Sequence, residues 1–222
     1  MIYNYVLNAV MLGIQQKITA MLKGVRKMAL KFKLRQVAFK YHYLIEKLNS
    51  NSKEKNYDKM SINALINHII KTHHKYVKET IPTIKDFAKK VSKVHGKNYP
   101  ETNLIYHLFL RLSDELLDHM KKEEEILFPK IKILLDKTYS KSVFFSYGTI
   151  SNPIKMMEME HESAGKILKE IAELSNNYIP PPSACNTYRA LYNSLKEFQD
   201  DLHIHIHLEN NILFPKAMKF DD

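Results

Sequence analysis

Histidine and glutamate recur in this chain at a spacing suited to holding metal. The stretch His119-Met-Lys-Lys-Glu123-Glu-Glu-Ile-Leu-Phe-Pro-Lys130 matches His205-Ile-His-Leu-Glu209-Asn-Asn-Ile-Leu-Phe-Pro-Lys216 at seven of twelve positions, an internal repeat offset by 86 residues. On a helix, residues i and i+4 project from one face with Cβ atoms about 5–6 Å apart, so each His/Glu pair can reach a common axis. Two more histidines, His74 and His161, are offset by 87 residues. Two halves, each offering two His and one Glu, fit a dinuclear site in which each metal takes two imidazoles and shares both carboxylates. Imidazole and carboxylate suit iron, zinc or manganese. Iron is the expected metal, because two bridged ions need more than four ligands each and leave positions open for an oxo bridge or a small molecule.

Four long helical patterns would position these groups, each a seam of spacings three or four. The first runs Ile66, Ile70, His74, Val77, Ile81, Ile84, Ala88, Val91. After a breaker at Gly96 to Pro100, the second runs Ile105, Leu108, Leu112, Leu116, His119, Glu123, Ile126. A loop of roughly Asp136 to Asn152 leads to the third, Met157, His161, Ala164, Leu168, Ile171. Pro180, Pro181 and Pro182 stop any helix, and the fourth runs Leu191, Leu195, Phe198, Leu202, His205, Glu209, Ile212. With no strand signal, the expected fold is all-α: an antiparallel up-down four-helix bundle. Six polar residues interrupt its apolar seams, and burying each without a partner costs on the order of 1–3 kcal/mol. Metal coordination would neutralise the carboxylates and occupy the imidazole lone pairs at once.

Other polar residues lie close to these six in the chain. His73 rivals His74, since Ile66, Ile69, His73, Val77 is also a seam, but the 45-residue step from His74 to His119 mirrors the 44-residue step from His161 to His205. His203 and His207 lie about 200° round the helix from His205 and are expected to face outward. His68, His95 and His107 read as structural or solvated. Glu160, beside His161, could act behind the ligands or on a proton path. Of the triplet Glu123, Glu124, Glu125, only Glu123 is in phase with the seam. Cys185 comes after the proline run near a helix start and reads as structural. His161-Glu162 begins like a zinc-protease helix, but Gly165 stands where the second His should be. Ferritin-like di-iron helices place His three residues after Glu, whereas here His precedes Glu by four.

The 222 residues, 45% apolar and 26% charged, read as a soluble, mostly helical protein with a core of ordinary size. A single cysteine excludes an internal disulfide framework and a thiolate cluster, so a reducing, cytoplasmic setting is expected. The formal charge of +10 is uneven: residues 1–57 hold 11 Lys and Arg against 2 acids, and residues 58–222 hold 23 against 22. The main body therefore has no basic stripe, and nucleic-acid binding is not expected. Residues 1–57 read as a basic helical extension with a linker at Asn49 to Lys55, and residues 58–222 as the bundle. The apolar stretch from Tyr3 to Leu22 is too polar for a membrane span and lacks the features of a secretory signal.

The body resembles the iron-sulfur cluster repair proteins of the RIC (repair of iron centres) family, which are hemerythrin-like. The resemblance covers roughly Ser61 to Met218. It rests on Asn67-His-Ile-Ile70 followed by His74, the block His119 to Lys130, Glu160-His-Glu-Ser-Ala-Gly165, Asn176-Asn177 with Pro180-Pro-Pro-Ser-Ala-Cys185, and Leu208-Glu-Asn-Asn-Ile-Leu-Phe-Pro215. It implies two iron ions in a non-haem, oxo- and carboxylate-bridged di-iron site, with His74, His119, His161 and His205 as ligands and Glu123 and Glu209 as bridges. It implies repair of clusters damaged by nitrosative or oxidative stress, by iron delivery or by handling NO or oxygen species, with damaged iron-sulfur proteins as partners. A reversible O2 or NO sensor or scavenger that keeps its iron is the alternative, and a redox enzyme acting on NO or peroxide is a third. A monomer or homodimer is expected. Family members often begin with a small domain bearing a cysteine pair, and this chain has no cysteine before Cys185.

Overall fold

The computed structural model describes residues 57–135 and 149–221. The basic extension and linker expected over residues 1–57 lie outside the described residues except for Tyr57, as does most of the loop from Asp136. The chain from Asn56 to Asp222 forms one compact unit. Four long helices build it, and among the described residues there is no strand.

The first long helix comprises α1 (Ile62–His68), a wide π-turn at Ile69–His74, and α2 (Lys75–His95). Ser61 caps it, its side chain accepting from Ala64 N at 3.2 Å. A turn at Gly96 reverses the chain, and there a Cβ would lie 2.4 Å from the Ser92 carbonyl oxygen, so only glycine fits. The second comprises α3 (Glu101–Lys122), a π-turn at Glu123–Leu127, and α4 (Phe128–Leu135). The third is α5 (Ser151–Leu174). It ends in three successive left-handed residues, Asn176, Asn177 and Tyr178, of which asparagine tolerates that conformation best. The fourth comprises α6 (Asn186–Leu208), a π-turn at Glu209–Leu213, and α7 (Phe214–Met218). Helix α2 packs against α3 and α6, and α3 packs against α5. The short turn between α2 and α3 makes that pair antiparallel.

Two of the π-turns have a cause in the repeat. Pro129 and Pro215 each come just after a π-turn, and a proline ring clashes with the carbonyl four residues back, here Glu125 or Asn211, inside the turn. Widening the turn relieves that clash. The extra residue shifts the phase of the next helical turn: Leu127 and Phe128 are buried, while Ile126, expected in the seam, is 52% exposed. The π-turn in the first helix likewise buries Ile69 in place of Ile70. Leu108 is only half-buried because Phe109, one residue on, fills the core and meets the edge of Phe198 at 5.4 Å. The remaining seam residues are buried as expected.

The core is in two parts. One apolar cluster runs from Val77 and Ile84 through Phe109, Leu116 and Ile171 to Leu202. The other gathers Leu65, Ile69, Leu127, Phe128, Met157, Leu213 and Phe214. Along every long helix the six polar seam residues fall between them. No described helix is long and apolar enough to cross a membrane.

Candidate metal centre

His74, His119, Glu123, His161, His205 and Glu209 are all buried, none more than 5% exposed, and their donor atoms converge. Two sets of four form, His74, Glu123, His205, Glu209 and His119, Glu123, His161, Glu209, with ligand atoms in each set within 4.8 Å of one another. Both carboxylates belong to both sets. Glu123 Oε2 lies 3.3 Å from His74 Nε2 and 3.4 Å from His119 Nε2. Glu209 Oε1 lies 3.0 Å from His205 Nε2, and its Oε2 lies 3.2 Å from His161 Nε2.

The far side of each ring decides what the near side offers. His74 Nδ1 donates to Glu124 at 2.7 Å, His119 Nδ1 to Glu160 at 2.9 Å, and His161 Nδ1 to the side-chain oxygen of Asn210 at 2.8 Å. With its proton held on Nδ1, each neutral ring turns a bare Nε2 lone pair inward. Those nitrogens come in facing pairs, His74 to His205 at 3.2 Å and His119 to His161 at 2.9 Å. Lone pairs facing each other beside two carboxylates repel unless a positive charge lies among them. Both Glu123 oxygens and Glu209 Oε2 are buried without a hydrogen bond. Cations at this point would satisfy every one of these groups, so the donor set fits two metal ions of imidazole and carboxylate preference.

Protonation in the metal-free protein reflects the same demand. Burial disfavours a charged His74, but the nearby carboxylates of Glu123 and Glu209 outweigh it and raise the group to about 10. Burial, and then the charge of Glu209, push Glu123 up to about 8. Burial also opposes ionisation of Glu209, yet His205, His161 and His74 hold it well below the usual range. His119 is driven down to about 4 by burial and by His161. The site thus keeps one carboxylate ionised and draws a proton to His74, where a metal would serve better.

The repeated Ile-Leu-Phe-Pro blocks contribute in a way the sequence did not reveal. Phe128 stacks on His74 at 5.9 Å and Phe214 on His161 at 6.2 Å, walling the two rings. Glu124 and Asn210 were also missed. They hold equivalent places in the repeat, each directly after the buried glutamate, and the π-turn swings them toward a histidine of another helix. Glu124 is therefore half-buried rather than a solvated residue, with Lys78 on its oxygens at 2.8 and 3.0 Å. Glu160 is paired with Lys122 at 2.6 Å. His73 is buried alongside His74 but does not join the converging set. His203 and His207 are half-buried, and His107 is exposed. His95 lies at the other end of α2, its Nε2 3.3 Å from Cys185 Sγ. A cavity of about 230 Å³ reaches His119 and His161 from the surface, lined by Glu115, Asp118, Lys122 and Glu160.

Residues 65–217 match the Hemerythrin HHE cation binding domain. The chain is 37% identical over 174 residues to a probable iron-sulfur cluster repair protein of Haemophilus influenzae, an alignment covering 78% of this chain and 73% of that one. It is 38% identical over 174 residues to the iron-sulfur cluster repair protein YtfE of Escherichia coli O81, covering 78% and 74% of the two chains.

Proposed function

The chain belongs to the hemerythrin HHE cation-binding family and to its iron-sulfur cluster repair branch, and from that premise we propose that it repairs iron-sulfur clusters damaged by nitrosative or oxidative stress. His74, His119, His161 and His205 would hold two iron ions, with Glu123 and Glu209 shared between them. When bound, iron supplies one-electron redox chemistry and Lewis acidity, and as cargo it is also what a damaged cluster lacks. The partners are then iron-sulfur proteins, and the cytoplasm is the setting this reading requires.

The observation that carries the iron-delivery form of this reading is the cavity over His119 and His161. Its lining sets three carboxylates, Glu115, Asp118 and Glu160, and one cation, Lys122, among apolar surface from Leu116 and Ala164, so negative charge that attracts a divalent cation lies on a route to two of the histidines. The protein's own groups do the rest. Glu124 and Glu160 fix the protons of His74 and His119 on Nδ1, Phe128 and Phe214 exclude water from two of the rings, and Lys78 and Lys122 keep the outer acids ionised.

The test is to incubate a cluster enzyme inactivated by NO or peroxide with iron-loaded protein. Recovery of activity beyond that given by the same amount of free ferrous iron is expected, with iron leaving the donor in step. No recovery beyond free iron overturns the proposal. Retention of all iron with reversible optical changes under O2 or NO would instead identify a sensor or scavenger.

A further inference from the structure

The internal repeat relates His119 to His205 and His161 to His74, so it also relates what lies behind each ring. Offsets of 86 and 87 residues superpose Asn210 on Glu124 and Glu160 on His73. Three of these four partners act alike, accepting from an Nδ1 at 2.7 to 2.9 Å. The fourth departs: His73 stands where Glu160 stands in the other half, and His205 Nδ1 is buried with no hydrogen bond.

His73 does not act alone. Its Nδ1 lies 2.9 Å from Asp201 Oδ1, and it stacks on His205 with ring centroids 5.5 Å apart and planes 11° from parallel. Asp201 precedes His205 by one helical turn on α6, so both side chains leave the same face. A neutral His73 donating from Nδ1 to Asp201 carries an accepting lone pair on Nε2. That Nε2 and Asp201 Oδ2 are both buried without partners. His205 Nε2 meets Glu209 Oε1 at 3.0 Å; once that nitrogen holds metal its proton must sit on Nδ1, and this spot between two helices then has two orphan acceptors and one orphan donor. The stacked planes do not point Nδ1 at Nε2, but one bridging water would join them at little loss against a direct bond.

We propose that the His73–Asp201 pair takes the place of Glu160 in this half of the molecule and positions His205, setting its tautomer and ring orientation for metal through a bridging water. This rests on the di-iron reading above. Partners of this kind are worth about 10–100-fold in metal affinity.

The test uses the full chain loaded with ferrous iron, reading iron per chain, the rate of iron loss to a chelator, and the unfolding temperature of the metal-free form. Asp201→Leu and His73→Phe are expected to lose iron about 10–100-fold faster than wild type. The double variant His73→Glu with Asp201→Asn, which rebuilds the Glu160 arrangement, is expected to recover most of that loss. Iron retention unchanged in both single variants overturns the proposal. So does a fall in metal-free stability with normal iron retention, because the pair would then be structural only. Failure of the double variant to improve on His73→Phe also counts against it. A wild-type chain that takes up fewer than two irons fails the di-iron reading itself and is seen before any variant is compared.

Discussion

Glu123 and Glu209 each approach histidines of both sets, so in the proposed centre either one would be shared rather than terminal. Replacing one by alanine would then leave two cations sharing a single carboxylate among bare imidazoles. Glu123→Ala and Glu209→Ala are therefore expected to retain at most one iron per chain by elemental analysis, and two retained irons would refute the shared assignment. The residues behind the rings should act by degree. Glu124→Gln keeps an acceptor for His74 Nδ1 but removes the charge, and Glu124→Ala removes both. The glutamine variant should hold iron more weakly than wild type and the alanine variant weaker still, by about 10–100-fold, measured by chelator competition. The six converging residues could be read from the sequence because each obeys a spacing within one helix. Glu124, Asn210 and Asp201 could not, because their partners lie 50, 49 and 128 residues away on other helices.

The π-turns are where periodicity and structure part. A strict 3.6-residue count puts Ile126 inside and leaves Leu127 out, and the wide turn at Glu123–Leu127 reverses them. Leu127→Ala should cost about 2–5 kcal/mol, as for a buried leucine, whereas Ile126→Ala should stay within about 0.5 kcal/mol. Denaturant midpoints compare the two directly, and a larger loss at Ile126 would mean the turn is an ordinary α-turn. The signal for it was present in the sequence, since both repeats carry Phe-Pro directly after the apolar pair. Reading it required asking where the carbonyl opposed by each proline would go. The turn at Ile69–His74 has no such proline; His73 and His74 each lay on an apolar seam in the sequence, but as rivals, and the wide turn buries both. Long helices and their apolar faces were legible because many residues vote for them, while a one-residue widening rests on one or two.

At the scale of the molecule, the polar layer divides the core into two apolar clusters joined through the site. The metal-free protein must therefore fold around two carboxylates and four imidazoles with only protons to compensate. His74 is raised to about 10 from 6.5, so its contribution is fully present below about pH 6.5 and is lost as pH rises toward 10. Glu123 is raised to about 8 from 4.5, so burying it costs progressively more between those values. Both shifts have the same sign over the neutral to alkaline range. Glu209, held low, and His119, driven to about 4, change the balance only on the acid side. Metal-free protein should thus lose stability steadily from about pH 6.5 to about 9. Bound iron needs those groups deprotonated, so iron-loaded protein should lose much less. At free iron about 100 times the dissociation constant, binding adds about 2.7 kcal/mol, or roughly 5–11 °C in unfolding temperature for a domain of this size. Thermal unfolding of loaded and chelator-stripped protein across that pH range should show the gap widening toward alkaline pH, with protons released on iron uptake. A gap that narrows as pH rises would mean that protons and metal do not compete for these six side chains.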